Sequence, residues 1–208
     1  MMVNRLIFEG PDDAHVVMNL LFNHELEGLS LKEHFMPKDK NGVDNLINTL
    51  NEELKATDLD RLGVILDADV DLARQWARVT RVLDAHGCLN VPAVPDVAGT
   101  VVETQEGKKV GVWIMPDNRS KGALEDFVSG LIAENDVLWP KAQADVNSIP
   151  AADRRFKDTY LSKAQIHTWL AWQEEPGTLM GGTFSRKYLD PNHPQAAAFV
   201  NWIKRLLA

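Results

Sequence analysis

Two short apolar runs that stop at carboxylates constrain this chain more than any other feature. Leu6-Ile7-Phe8 runs into Glu9-Gly10-Pro11-Asp12-Asp13, and Val64-Ile65-Leu66 runs into Asp67-Ala68-Asp69. Such a run reads as a strand buried on both faces, the usual condition of a parallel sheet covered by helices. The acids then fall at the C-terminal strand ends, where open α/β sheets bind ligands. Two neighbouring strands ending this way bring Glu9, Asp67 and Asp69 together. Like charges at close range raise one another's pKa, and a divalent cation relieves the crowding.

The flanking pattern agrees with a parallel sheet. Residues 3–8 read as a first strand, and Gly10-Pro11 with Asp12 and Asp13 opens a helix carrying Val16, Val17, Leu20 and Leu21 on one face. A short strand is expected at 32–36, a helix at 43–54, a strand at 62–67 and a helix at 71–86. That alternation is the signature of an α/β fold. Residues 101–104 and 109–115 read as an antiparallel hairpin around a polar turn, and Met115-Pro116-Asp117-Asn118 as a turn before a helix at 121–133. Helices are expected at 136–147, 160–174 and 194–207, the last with Phe199, Trp202, Ile203 and Leu206 at helical spacing. The division expected is an α/β domain over 1–133 and a helical C-terminal extension over 134–208 packed on it.

Bulk properties narrow the function classes. The chain has 208 residues, enough for one substantial core. With 45% hydrophobic and 25% charged residues it is globular rather than disordered. A formal net charge of −8 and a pI near 5.2 disfavour broad, non-specific nucleic-acid binding. They leave room for nucleic acid at a narrow site beside a metal. Cys88 is the only cysteine, which excludes an internal disulfide and a thiolate zinc site, and it reads as a small buried hydrophobe. The six histidines lack close metal-ligand spacing. The chain turns acidic by Glu9, too early for a secretory signal, and no apolar run reaches membrane-spanning length. A cytoplasmic protein with no membrane partner is the expectation.

Phe8-Glu9-Gly10 with Asp13, followed by Asp67-Ala68-Asp69 after a buried strand, resembles the Toprim domain. This is the metal-binding α/β module of topoisomerases, primases, OLD-family nucleases and small repair or RNA-maturation proteins. The resemblance covers residues 3–130. Trp113-Ile114-Met115-Pro116-Asp117-Asn118, Gly122-Ala123-Leu124-Glu125-Asp126 and the helical C-terminus further resemble a group of small bacterial Toprim-like proteins of unassigned function. The resemblance implies a mostly parallel sheet flanked by helices, with a β-hairpin addition and a helical C-terminal extension. It implies Mg²⁺ or Mn²⁺ as cofactor, held by Glu9, Asp67 and Asp69. In OLD-type nucleases a glutamate in a Leu-Glu pair on a downstream helix contributes to the metal site, and Leu124-Glu125 matches that pattern, which adds Glu125.

The residue types suit that chemistry. Asp67 and Asp69, two apart on an extended chain, share one side, and Mg²⁺ prefers a few carboxylates plus water and phosphate oxygens. Glu9 can complete the shell or act as general acid or base. Two metals would stabilise both the attacking and the leaving oxygen. Each acid also has a plainer reading. Asp12 and Asp13 suit a helix N-terminus, and Asp71 suits the cap of the next helix. Arg119 and Lys121, with Asp117 beside them, sit in a loop that faces the same crevice or simply solvent. Gly177, Gly181 and Gly182 read as a turn between helices, lacking a phosphate-loop lysine pattern. Trp169, Trp172 and Trp202 read as packing residues of the C-terminal layer. Three functions compete: a nuclease-like phosphodiester hydrolase, a non-catalytic metal- or nucleotide-binding module acting through a protein partner on the helical C-terminus, and a phosphoacceptor at Asp67. A phosphoacceptor pairs its acids with a lysine at a later strand end, and here that strand ends Met115-Pro116. Topoisomerase chemistry lacks a supporting context for Tyr160 or Tyr188.

Overall fold

Strand β2 (Leu59–Asp67) carries alternating side chains that are buried on both sides, so it belongs in the middle of a sheet. It pairs in parallel with β1 (Val3–Phe8) on one side and with β5 (Lys109–Met115) on the other. The hairpin partner β4 (Thr100–Thr104) runs antiparallel to β5, and the two-residue β3 (Cys88–Leu89) closes the edge. The sheet order is β1-β2-β5-β4-β3. The computed structural model describes residues 2–24 and 42–208, so the strand expected at 32–36 lies outside the described residues.

Side-chain alternation sends two sets of residues to opposite faces. Leu62, Val64 and Leu66 of β2 with Val110, Val112 and Ile114 of β5 pack against Leu46 and Leu50 of α2 (Gly42–Glu53) and Trp76, Val79 and Leu83 of α3 (Leu72–Ala85). The other face, with Leu6, Ile65, Trp113 and Met115, meets α1 (Pro11–Phe22), α4 (Leu124–Ser129), α5 (Trp139–Ser148), α6 (Leu161–Ala171) and α7 (Pro194–Leu207). This second core joins residues from both ends of the chain, Leu6 to Ile203.

Helix α7 reaches this face because the strands leave room for it. Gly63 and Gly111 are direct partners in the β2–β5 ladder. A Cβ at Gly111 would stand 3.0 Å from Leu206 Cδ2 and Trp202 Cζ2, and one at Gly99, where φ is +88°, would collide with the Trp202 indole. Trp202 Nε1 donates to the Thr100 carbonyl at 3.0 Å. Its ring also packs on Trp113 and Phe199, with centroids 5.7 and 5.3 Å away. The indole therefore fills a bed that three side-chain-free residues create.

Several expectations need correction. The helix expected at 121–133 is only Leu124–Ser129: it starts late because Gly122 sits at φ +140° with its backbone bonded to Asp69, and it ends at the Gly130 cap. Cys88 is half-buried on β3, and burial beside Asp84 pushes its thiol up to about 11. Trp172 is 38% exposed, unlike fully packed Trp169 and Trp202. The turn between helices expected at Gly177, Gly181 and Gly182 is present as a 3₁₀ turn at Met180–Gly182 between α6 and α7, with the Gly181 backbone against His15 of α1.

Trp202→Ala is expected to cost about 3–5 kcal/mol, read as a lowered denaturation midpoint at constant m-value. A loss below about 1 kcal/mol would show that the glycine bed does not depend on the ring.

Candidate functional site

Parallel pairing on both sides of β2 makes β1, β2 and β5 end at the same edge of the sheet. Glu9 follows β1 directly, Asp67 is the last residue of β2, and Met115-Pro116-Asp117 leaves β5. Glu9 Oε2 accepts the backbone N–H of Asp67 at 3.2 Å. Asp67 Oδ1 accepts the N–H of Leu124, the first residue of α4, at 3.0 Å. The strand-end acids thus bond to the backbone of the next element along.

Asp13 is the residue whose role was hardest to foresee. It occupies the first turn of α1, where an acid usually faces solvent, yet it is only 7% exposed. Its Oδ1 has no hydrogen-bond partner among the described residues. Burial first, then the charges of Glu9 and Glu125, push its carboxyl up to about 7. Asp67 is raised well above the ordinary range by burial and by Asp13, Glu9, Glu125 and Asp69. Burial also raises Glu9, with Asp69 adding to it and the Asp67 N–H and Arg78 working against it. Glu9, Asp13, Asp67 and Glu125 therefore sense one another across a common crevice.

Glu125, nearly as buried as Asp13, takes a countercharge from the far end of the chain. Lys163 of α6 places Nζ 2.9 Å from Glu125 Oε1. Burial alone would lower the Lys163 ammonium, but the hydrogen bond and charge of Glu125 outweigh it and hold it above the usual value. Nothing in the local sequence around Lys163 marks it. Only the packing of α6 against α4 brings it to the site.

The remaining residues lie at the margins or outside. Asp69 is exposed with φ +51°, its backbone bridged to Gly122 and its Oδ2 accepting from Gln75 Nε2 at 3.0 Å. Asp71 caps α3, accepting the Arg74 N–H at 2.9 Å. Asp117 accepts N–H groups of Arg119 and Ser120 and the Ser120 hydroxyl. Its partial burial opposes ionisation, but those bonds prevail and hold its carboxyl below the usual range. Arg119 and Lys121 are exposed.

Among the described residues, no group of three or more His, Cys, Asp or Glu side chains is arranged to hold a metal ion. The fit to Mg²⁺ rests instead on donor chemistry. All the groups here are hard oxygens, one is buried and unpartnered, and Mg²⁺ commonly takes one or two carboxylates with water and phosphate completing its shell.

Helices on both faces of a mostly parallel sheet, with acids at its strand ends, define an α/β protein carrying an acidic strand-end site. The chain belongs to the family described as "Protein of unknown function (DUF3226)", whose model matches residues 3–208. No curated protein and no solved structure matches the chain. No helix among the described residues is long and apolar enough to cross a membrane.

The Asp13 shift has a defined sign. In the unfolded chain its carboxyl ionises near 3.9, whereas in the fold it keeps its proton to about pH 7. Between these values the folded state holds more protons, so stability falls as pH rises. Without added metal, Asp13→Asn is expected to raise Tm at pH 8 by at least about 5 °C and by much less below pH 4. An equal shift at both pH values would mean that the carboxylate is not the source of the cost.

Proposed function

We propose that this protein is a divalent-metal-dependent phosphoryl-transfer protein of the Toprim-like kind, acting as a nuclease-like phosphodiester hydrolase. The observation that carries the reading is Asp13 Oδ1, buried and without a partner among the described residues, close to Glu9, Asp67 and Glu125 where parallel strands end. A buried carboxylate without a partner is costly, and a hard cation is the simplest group to offset that cost. The order of the Glu9 and Asp67-Ala68-Asp69 elements along the chain supports the same reading.

Asp67 and Asp13 are the residues proposed to hold Mg²⁺ or Mn²⁺, with Asp69 and Glu125 at the margins of the shell. When bound, the ion supplies a Lewis acid for a phosphoryl oxygen and lowers the pKa of water. The chain's own groups do the rest. Glu9, held by the Asp67 N–H, keeps a fixed carboxyl oxygen able to take or return a proton. Lys163 pairs with Glu125 and so reduces the repulsion that this carboxylate adds for an incoming phosphate. The Leu124 N–H orients Asp67 by binding Oδ1.

A second reading, a non-catalytic module acting through a protein partner, draws on the net charge of −8 and on exposed Trp172 and Leu179 in the C-terminal region. Calorimetry with Mn²⁺ and Mg²⁺ is expected to show binding at about 1 mM or tighter that an Asp67→Asn, Asp69→Asn double variant loses. Cleavage of single- or double-stranded DNA or RNA with Mn²⁺, absent in Glu9→Gln, would support catalysis. Metal binding without cleavage of any of them would favour the module. No binding by the wild type at about 10 mM overturns the metal centre.

A further inference from the structure

On the outer side of the loops that frame the acidic site lies a cleft of about 420 Å³, nucleotide-sized and walled mainly by apolar side chains. One wall is α3, through Leu72, Trp76 and Ala77, and the other is the 93–97 segment, through Val94, Pro95 and Val97. Val94 and Val97 are 70% and 50% exposed, unusual for valines on a fixed loop. Arg119 stands at the rim, exposed and without an ion pair among the described residues.

The cleft is built rather than incidental. Trp76 Nε1 donates to the Pro92 carbonyl at 3.2 Å, which ties α3 to the opposite wall. Asn118, 2% exposed, accepts the Ile114 N–H at 2.7 Å, and its Nδ2 points to the Val97 carbonyl. Asp96 accepts the Ala98 N–H while its own N–H donates to Thr100, so the 93–97 segment is braced from below. Asp117 accepts the Arg119 and Ser120 N–H groups, and the Arg119 guanidinium, which acts on Asp117 through its charge, makes no ion pair within 4.0 Å among the described residues. The same two loops connect cleft and acids. Asp69 is bonded to Gly122 and to Gln75, while Leu72 and Arg119, three residues from Asp69 and Gly122 respectively, face the cleft.

We propose that this cleft seats the base of a purine nucleotide, with Arg119 on its phosphate. A mainly apolar cleft with one exposed guanidinium at the rim suits a ligand that is aromatic at one end and anionic at the other. The proposal rests on the phosphoryl-transfer reading for its biological sense: the cleft gives the neighbouring carboxylates a nucleotide substrate, held by its base and not only by its backbone. Its physical content can be tested without metal.

The test is calorimetry of AMP and adenosine in EDTA on the wild type, on Ala77→Trp, which fills the cleft from an exposed helix position, and on Arg119→Ala. Circular dichroism and Tm would confirm that both variants fold. AMP is expected to bind the wild type more tightly than adenosine does. Ala77→Trp should weaken both ligands by at least about tenfold, and Arg119→Ala should remove the advantage of AMP while leaving adenosine unchanged. No AMP binding at about 10 mM, or binding unchanged in both variants, overturns the proposal, and an occupant such as an apolar side chain of a partner protein would then fit the cleft better. Mn²⁺ titration of the same samples separates the two readings. AMP binding without metal binding leaves the cleft standing and the metal centre fallen, and metal binding without AMP binding does the reverse.

Discussion

Everything at the candidate site follows from β2 being hydrogen-bonded in parallel on both sides. Parallel partners must leave a sheet at the same edge, so β1, β2 and β5 deliver their exits to one crevice. Each exit is polar because the strands themselves are apolar and the loops after them begin at water. Glu9 and Asp67 are there because of where the strands stop. Asp13 joins them because Gly10-Pro11 starts α1 at once, folding its first turn back over the strand ends.

The arrangement carries an electrostatic strain that the fold relieves only in part. Backbone N–H groups bind Glu9 and Asp67, Gln75 binds Asp69, and Lys163 pairs with Glu125. Among the described residues, Asp13 Oδ1 receives nothing. An unrelieved buried acid is rarely kept for stability. Arg61 Nε, Gln75 Oε1 and Trp113 Nε1 are also buried without a partner among the described residues, but of these atoms only Asp13 Oδ1 belongs to a carboxyl group.

Much of the fold was legible in the sequence because its signals are local. Apolar runs marked β1, β2 and β5, and the helical spacing of Phe199, Trp202, Ile203 and Leu206 after Pro194 matches α7 at Pro194–Leu207. What stayed hidden depends on distant contacts. Helix α4 is short because Gly122 bridges to Asp69 and because the Asp126 side chain turns back to the Ala123 N–H. The burial of Asp13 depends on elements from elsewhere in the chain, and its position looked like an ordinary helix start. Asp71 reads in the sequence as the cap it is, whereas Asp117 stays a further candidate there because a turn uses the same residue type as a ligand shell. Lys163 could not have been singled out, because its partner lies 38 positions earlier and only tertiary packing joins them.

The single Lys163–Glu125 pair has a kinetic meaning as well. Among the described residues, Lys163 pairs with Glu125 and Arg78 acts on Glu9, against the carboxylates of Glu9, Asp13, Asp67, Asp69 and Glu125, on a chain whose formal charge is already −8. The described residues of the crevice therefore favour the approach of cations over anions, over a range set by the ionic strength of the surroundings. A phosphate group approaching the bare crevice meets repulsion, whereas one that arrives after a cation meets attraction. On the proposed metal-dependent reading the cation arrives before the anion, and added salt should soften that order.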